Sequence, residues 1–360
     1  MRKTLTALMM GALIAGSATA ANAAAGMDDM GVKIDSVVAQ LGYKWDERPN
    51  TDDNFNLNRL RIKITAQPAD NIHFTTNLEA ADSAAAGGAF GDNTPAGALM
   101  TDMGSDSRVV DMYVALTYLD WMTILAGQMP TPVSYELNTD VYAMEPINFS
   151  QFVGIANRDR GVGVSIPIPN ANTDFMAWIL NGTGGINGAS DDIDDRNNYG
   201  AMLNFKPMEQ LGFKVWGNFA NMSDDSGLFP GSTAGQLAEW KGDGFGGGVD
   251  YKLDNFHLFG EYAQVKTRVT NEVTSARLLS QKTREWYAHG SYKIPETDVQ
   301  LVLRYDKYDP NTSASNDDTK VTTAGINWDF EKDARVQIMR EFNSGATTQD
   351  ELDIQLSLRF

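Results

Sequence analysis

The sequence predicts an all-β chain: a transmembrane, antiparallel up-and-down β-barrel of about 16 strands. Three observations carry that prediction. The closing segment alternates strictly, apolar at Leu352, Ile354, Leu356, Leu358 and Phe360, polar at Glu351, Asp353, Gln355, Ser357 and Arg359. Segments with the same period of two recur along the chain. The connections between them alternate in length, short then long, as in barrels that keep tight turns on one rim and loops on the other. A strand with one oily and one wet face needs lipid or a core on one side and water on the other. Leu356, Leu358 and Phe360 are read as a C-terminal barrel signature.

The opposite end supplies an address. Arg2 and Lys3 precede a short apolar core, Leu5 to Ile14, and Ala21-Asn22-Ala23 is a small-residue cleavage pattern. Residues 1–23 are expected to be a signal peptide for Sec export, leaving 24–360 as a single barrel domain of a Gram-negative outer membrane. Past residue 24 no apolar run reaches the roughly 18 residues of a membrane-spanning helix. No Pro- or Ser-rich linker divides the chain. A net charge of −18 argues against nucleic acid as a partner. With three histidines and no cysteine there is little material for a transition-metal site. No metal and no cofactor are expected.

Sixteen strands are expected, at 31–45, 56–67, 72–80, 108–118, 122–128, 159–167, 174–181, 198–205, 211–219, 244–252, 256–266, 283–292, 298–308, 319–329, 334–342 and 350–360. In the second, Leu60, Ile62, Ile64 and Ala66 face one way and Arg59, Arg61, Lys63 and Thr65 the other. In the fourth, Val110, Met112, Val114, Leu116 and Tyr118 form the oily set. The tenth sets Phe245, Val249 and Tyr251 against glycines, Asp250 and Lys252; the thirteenth sets Val299, Leu301, Leu303 and Tyr305 against Gln300, Arg304 and Asp306. The fifth and seventh are ambiguous, because Leu125, Met176, Trp178 and Leu180 blur the alternation.

The long connections are 81–107, 129–158, 182–197, 220–243 and 267–282. Aromatics such as Tyr118, Trp121, Phe205, Phe256, Trp328 and Phe360 fall at the short-turn strand ends, where an interfacial girdle is expected. Glycines inside strands, Gly161, Gly246 and Gly260 among them, would leave room in a lumen.

A barrel of this size has a bore too wide for side chains to fill, so an aqueous channel is expected. Residues 129–158, the third long extracellular loop, are proline-punctuated and rich in apolar groups, and are expected to fold into the lumen. Arg59, Arg61 and Lys63 stand at alternate positions, a basic ladder about 6.6 Å per step. Arg158, Arg160, Lys214 and Arg304 are further pore-lining candidates, facing Glu136, Asp140 and Glu145 on the loop. Two consequences are open: a transverse field that selects charged solutes, or mutual neutralisation that leaves weak selectivity. The acidic stretches Asp82 to Asp106, Asp191 to Asp195 and Asp224-Asp225 would hold divalent cations beside lipopolysaccharide.

No catalytic residues are assigned. Gly242-Asp-Gly-Phe-Gly-Gly247 matches a dinucleotide fingerprint as a string, but it opens a strand rather than a helix. His73, His257 and His289 fall in separate strands.

From about residue 55 the chain resembles the porin O/P, or phosphate-selective, family. The segment Leu125-Ala-Gly-Gln-Met-Pro-Thr-Pro-Val-Ser-Tyr-Glu136 carries the likeness, followed after a loop by Arg158-Asp-Arg-Gly-Val-Gly-Val-Ser165. The resemblance implies a sixteen-stranded barrel, usually a homotrimer, with inward-folded loops, passing small anions by passive diffusion. The family's phosphate selectivity rests on a dense set of lumen arginines and lysines; this chain has one clear ladder and acidic loops. The expected function is a non-enzymatic outer-membrane channel for small hydrophilic solutes and ions. The alternatives are a structural barrel that sheathes a partner protein and an outer-membrane hydrolase.

Overall fold

The computed structural model describes residues 31–46, 54–80, 108–150, 158–169, 171–181, 197–224, 238–345 and 350–360. The expected signal peptide, the acidic segments 82–106 and 191–195, Asp225, and residues 151–157 of the third loop lie outside them. The strands are β1 (Val32–Asp46), β2 (Asn54–Ala69), β3 (Ile72–Ala80), β4 (Arg108–Leu119), β5 (Met122–Pro130), β6 (Arg158–Ile168), β7 (Thr173–Leu180) and β8 (Asn198–Met208). They continue as β9 (Leu211–Asp224), β10 (Ala238–Leu253), β11 (Phe256–Asn271), β12 (Arg277–Lys293), β13 (Val299–Asp309), β14 (Thr319–Glu331), β15 (Ala334–Gly345) and β16 (Glu351–Arg359). Each pairs antiparallel with its chain neighbours, and β1 pairs with β16, so the sheet closes on itself. Phe360 completes the seam by exchanging backbone hydrogen bonds with Val37 at 2.9 and 3.0 Å. Closure removes every sheet edge, which a backbone in hydrocarbon requires.

The burial pattern is inside out. On β13, Leu301 and Leu303 are 45% and 58% exposed, whereas Val302 between them and Arg304 and Asp306 beyond them are 4%, 2% and 1% exposed. Leu258, Val249, Ile338 and Ile354 extend the outer apolar belt on neighbouring strands. Tyr118, Trp121, Phe205, Phe256, Trp328 and Phe360 are exposed at the turn rim, and Phe256 packs at a tilt against Tyr292 with ring centroids 4.4 Å apart. Rings with an apolar body and a polar edge suit that interface.

Two of the expected long loops shorten. β11 and β12 stay paired up to Thr270 and Arg277, so 267–282 reduces to the turn 272–276. Segment 220–243 loses its ends to β9 and β10, which pair from Asp224 with Ala238 onward. The cause is hydrogen bonding: once two strands are in register, pairing continues above the apolar belt wherever nothing interrupts it.

The blurred strands have a physical explanation. Trp178 and Leu180 on β7 point inward and are buried with Val133, Met202, Trp216, Phe259 and Tyr287. The lumen therefore contains an apolar core on this side, and period two no longer separates oily from wet. Glycine makes the space. A Cβ on Gly200, opposite Trp178 in the β7–β8 pairing, would stand 2.1 Å from the Trp178 ring. Gly200→Val is expected to cost about 1–3 kcal/mol by overpacking, read as a lower midpoint in urea unfolding of the detergent-folded protein. A midpoint equal to wild type would show that Trp178 has room elsewhere. Gly127 serves a different need. Its φ is +132°, and a Cβ there would lie 2.2 Å from the Met112 carbonyl oxygen, so the Gly-Gln-Met-Pro segment tolerates no larger residue at its first position.

Candidate functional site

The loop between β5 and β6 crosses the bore. It leaves β5 at Pro130, makes one helical turn over Tyr135–Asn138, and contacts strands on the far side of the barrel. Its apolar side chains seat in two places. Val133, Tyr135 and Phe149 pack with the β7–β12 cluster, and Val141 and Tyr142 pack on Val38 of β1. Burying a side chain of this size contributes about 1.5–3 kcal/mol, which gives a loop rich in such groups reason to enter the lumen.

Hydrogen bonds then fix it. The Glu261 carboxylate on β11 accepts from the Tyr135 backbone N–H at 3.0 Å and from the Tyr287 hydroxyl at 2.7 Å. Asn148 donates to Glu341 at 3.0 Å and to Asp353 at 2.9 Å. Gln337 and Asn327 donate to the Glu145 carbonyl at 2.9 and 3.0 Å. Gln40 donates to the Val141 carbonyl at 3.3 Å. Tyr142 lies beneath two guanidinium groups, with Arg359 4.5 Å and Arg335 5.5 Å from its ring centroid. These contacts gather on β11 to β16 and β1, opposite the strands from which the loop springs.

Arg304 is the centre of the network. It donates to Asp306 at 2.7 Å, to Glu136 at 3.2 Å and to the Asn148 carbonyl at 2.7 Å. It points inward, and at 2% exposure it lies beneath the loop rather than on an open wall. Glu136 also accepts from the Ser150 backbone and hydroxyl at 2.7 and 2.6 Å. Asp140 caps the Tyr142 backbone N–H at 2.8 Å and faces no wall cation in that bond.

Glu145 forms the second focus. One carboxylate oxygen lies 3.1 Å from His257 Nδ1 and accepts from Gln300 at 2.8 Å; the other meets His289 Nε2. Burial works against its ionisation, but the hydrogen bonds and charges of His257 and His289 outweigh burial. They hold the Glu145 carboxyl well below the usual carboxylate range. Glu145, His257 and His289 are the residues that could hold a metal among those described. Sequence spacing scattered them. The signal that could have joined them is parity: His257 and His289 occupy inward positions on adjacent strands, with His289 opposite Phe259 and His257 opposite Ser291.

The basic ladder stands on the inner face of β2, but its charges are matched. Arg59 and Arg61 share Glu79 at 3.0 and 2.5 Å, and Lys63 lies 2.9 Å from Asp35. Arg158 is buried against Asp111 at 2.7 Å, and Lys214 lies 3.9 Å from Glu261. Arg160 corrects the expectation. It is on the outer side of β6 with exposed Val162 and hydrogen-bonds to Gln128 at 3.3 Å, so it does not line the bore. The inward side of β6 carries buried Asp159 and then Gly161 and Gly163, the glycines opposite Leu180 and Trp178. Arg158 escapes that parity only because it sits at the strand end.

Comparison with known proteins agrees with this architecture. A family model described as Gram-negative porin matches residues 4–345. No curated protein is significantly similar in sequence. Among solved structures, the chain is similar to an anion-selective porin from Comamonas acidovorans, with a TM-score of 0.61 and 12% identity, covering 91% of this chain and 99% of that one. Salmonella typhi OmpF, in complex with daunomycin, gives 0.61 and 15%, covering 92% and 99%. The trimer form of in-vitro folded OmpT, an outer membrane protein of Vibrio cholerae, gives 0.60 and 12%, covering 91% and 99%. At such identities the likeness concerns the fold.

Proposed function

Since this chain belongs to the Gram-negative porin family, we propose that it is a passive-diffusion channel of weak charge preference for small hydrophilic solutes and ions, narrowed by the loop that follows β5. The observation that carries this reading is the bridging of the bore by that loop, from Pro130 to the Arg304 and Glu145 anchors. Solutes would pass beside the loop along the β2–β6 wall, where Arg59, Arg61 and Arg158 gather. Arg59 and Arg61 share Glu79, and Arg158 pairs with Asp111, so the charges of that wall are largely compensated, which supports a weak preference. The expected homotrimer belongs to this proposal, supported by the trimer form of a similar structure, and the weak preference is proposed to lean toward anions, supported by the likeness to an anion-selective porin. So does export by a signal peptide over residues 1–23, as does a surface that meets lipopolysaccharide.

Planar-bilayer recording of the purified protein tests the reading. Stepwise conductance is expected, with a reversal potential in a salt gradient close to zero. Replacing Arg59, Arg61 and Lys63 together by Ala should move that potential toward cation preference, because Glu79 and Asp35 would remain without their cations. An unchanged ratio would remove the ladder from the solute path. A silent membrane would favour a second reading, a structural barrel sheathing a partner. The packing of Arg304 and Tyr287 beneath the loop, each 2% exposed, is the feature that favours it.

A further inference from the structure

We propose that Glu145, His257 and His289 form a binding site for one divalent transition-metal ion of the zinc class, which would clamp the loop to the barrel wall. Two imidazoles and one carboxylate are a ligand set that nitrogen-preferring ions take and that magnesium or calcium does not. The three ligand atoms lie within 4.8 Å of one another. Around zinc, bonds of about 2.0–2.1 Å place tetrahedral ligands roughly 3.3 Å apart, so small side-chain rotations bring this set to coordination distance.

His257 supplies the specific argument. Its Nε2 lies 2.7 Å from Asp250 Oδ1, and its Nδ1 lies 3.1 Å from Glu145 Oε1. A neutral imidazole carries one N–H and can donate in only one of these directions. With one N–H donated to Asp250, Nδ1 faces the Glu145 carboxylate across 3.1 Å, and a metal ion bound between them takes the place of the second proton, which is released. Asp250 then occupies the place of the carboxylate that orients metal-bound histidines elsewhere. Glu145 is equally well aimed, since Gln300 binds its carboxylate and Asn327 and Gln337 hold its carbonyl.

Access is provided. A cavity of about 420 Å³ is lined by Glu145, His257 and His289 and extends to Asp254, Asn255 and Phe256 in the β10–β11 turn. An ion could enter from the turn rim, and three protein ligands would leave a position open to water. Because Glu145 belongs to the loop and both histidines to the wall, an ion held by all three favours the seated loop by mass action.

The test is calorimetric titration of the tag-free, metal-stripped full chain, folded in detergent at neutral pH, with Zn²⁺. Co²⁺ serves as a second probe whose visible absorption reports its ligands. One ion per chain is expected. His257→Ala and His289→Ala should each weaken binding at least tenfold, and His73→Ala, on β3, should leave it unchanged. Asp250→Asn should weaken it by about tenfold or more. If the alanine variants fail to assemble, Glu145→Gln keeps the side chain's shape and removes the anionic ligand, and it too should lose affinity. Absence of binding by the wild-type chain overturns the proposal and leaves His257 as an imidazolium between two carboxylates. So does undiminished affinity in Glu145→Gln or in both histidine variants. The titration needs no current, so its outcome is separate from that of the bilayer recording.

Discussion

Removing residues 134–150 and joining the ends with a short Gly-Ser linker is expected to raise single-channel conductance severalfold. The barrel should still assemble, because each pairing of the closed sheet is made between strands and none depends on the loop. What the deletion removes is the bridge over the bore: the Glu136 and Asn148 contacts with Arg304, the Glu145 contacts with His257 and Gln300, and the apolar plug of Tyr135 and Phe149. Bilayer recording measures the outcome, and unboiled electrophoretic mobility confirms that the barrel has formed. Conductance equal to wild type in a folded barrel would mean that the solute path does not pass the loop.

Arg304→Ala should produce the largest effect of any single substitution. The guanidinium satisfies Asp306, Glu136 and the Asn148 carbonyl together, at 2% exposure. Its loss leaves two carboxylates buried side by side without a cation, a defect that costs about 3–5 kcal/mol when a buried pair is broken. Relief comes from releasing the loop or from protonating a carboxylate, so flickering openings should accompany a lower urea midpoint. Arg304→Lys should rescue little, since an ammonium is a compact point charge and cannot span three acceptors in a planar fork. Neutralising the whole group, as Arg304→Met with Glu136→Gln and Asp306→Asn, should recover much of the loss. Recovery by Arg304→Lys alone would show that charge, and not the geometry of the fork, holds the loop.

The strands were legible because a wall between lipid and water forces the sequence into two faces. Glu351 to Phe360 shows this most plainly, and β2 and β13 nearly as well. Legibility failed where the environment stopped being two-sided. Trp178, Leu180 and Met176 face a lumen lined with the loop's own apolar groups, so both faces of β7 are oily. Arg160, a pore-lining candidate by residue type alone, lies on the outer side of β6, whose inward side carries glycines facing Trp178 and Leu180. The histidine pair was hidden by separation along the chain, 32 residues that strand pairing reduces to neighbours.

By itself the sequence determined the strand count, the closing seam, the short-turn rim and the loop's need for burial. Those are consequences of local period and of apolar content, which act residue by residue. Only the tertiary structure decided what the inward charges do. Whether Arg304 lines a channel or sits beneath a loop depends on what lies across the bore, and whether Arg59 and Arg61 stand free or share Glu79 depends on the register of β2 with β3. Electrostatic partnership is set by distance through space, and a linear order of residues does not carry it.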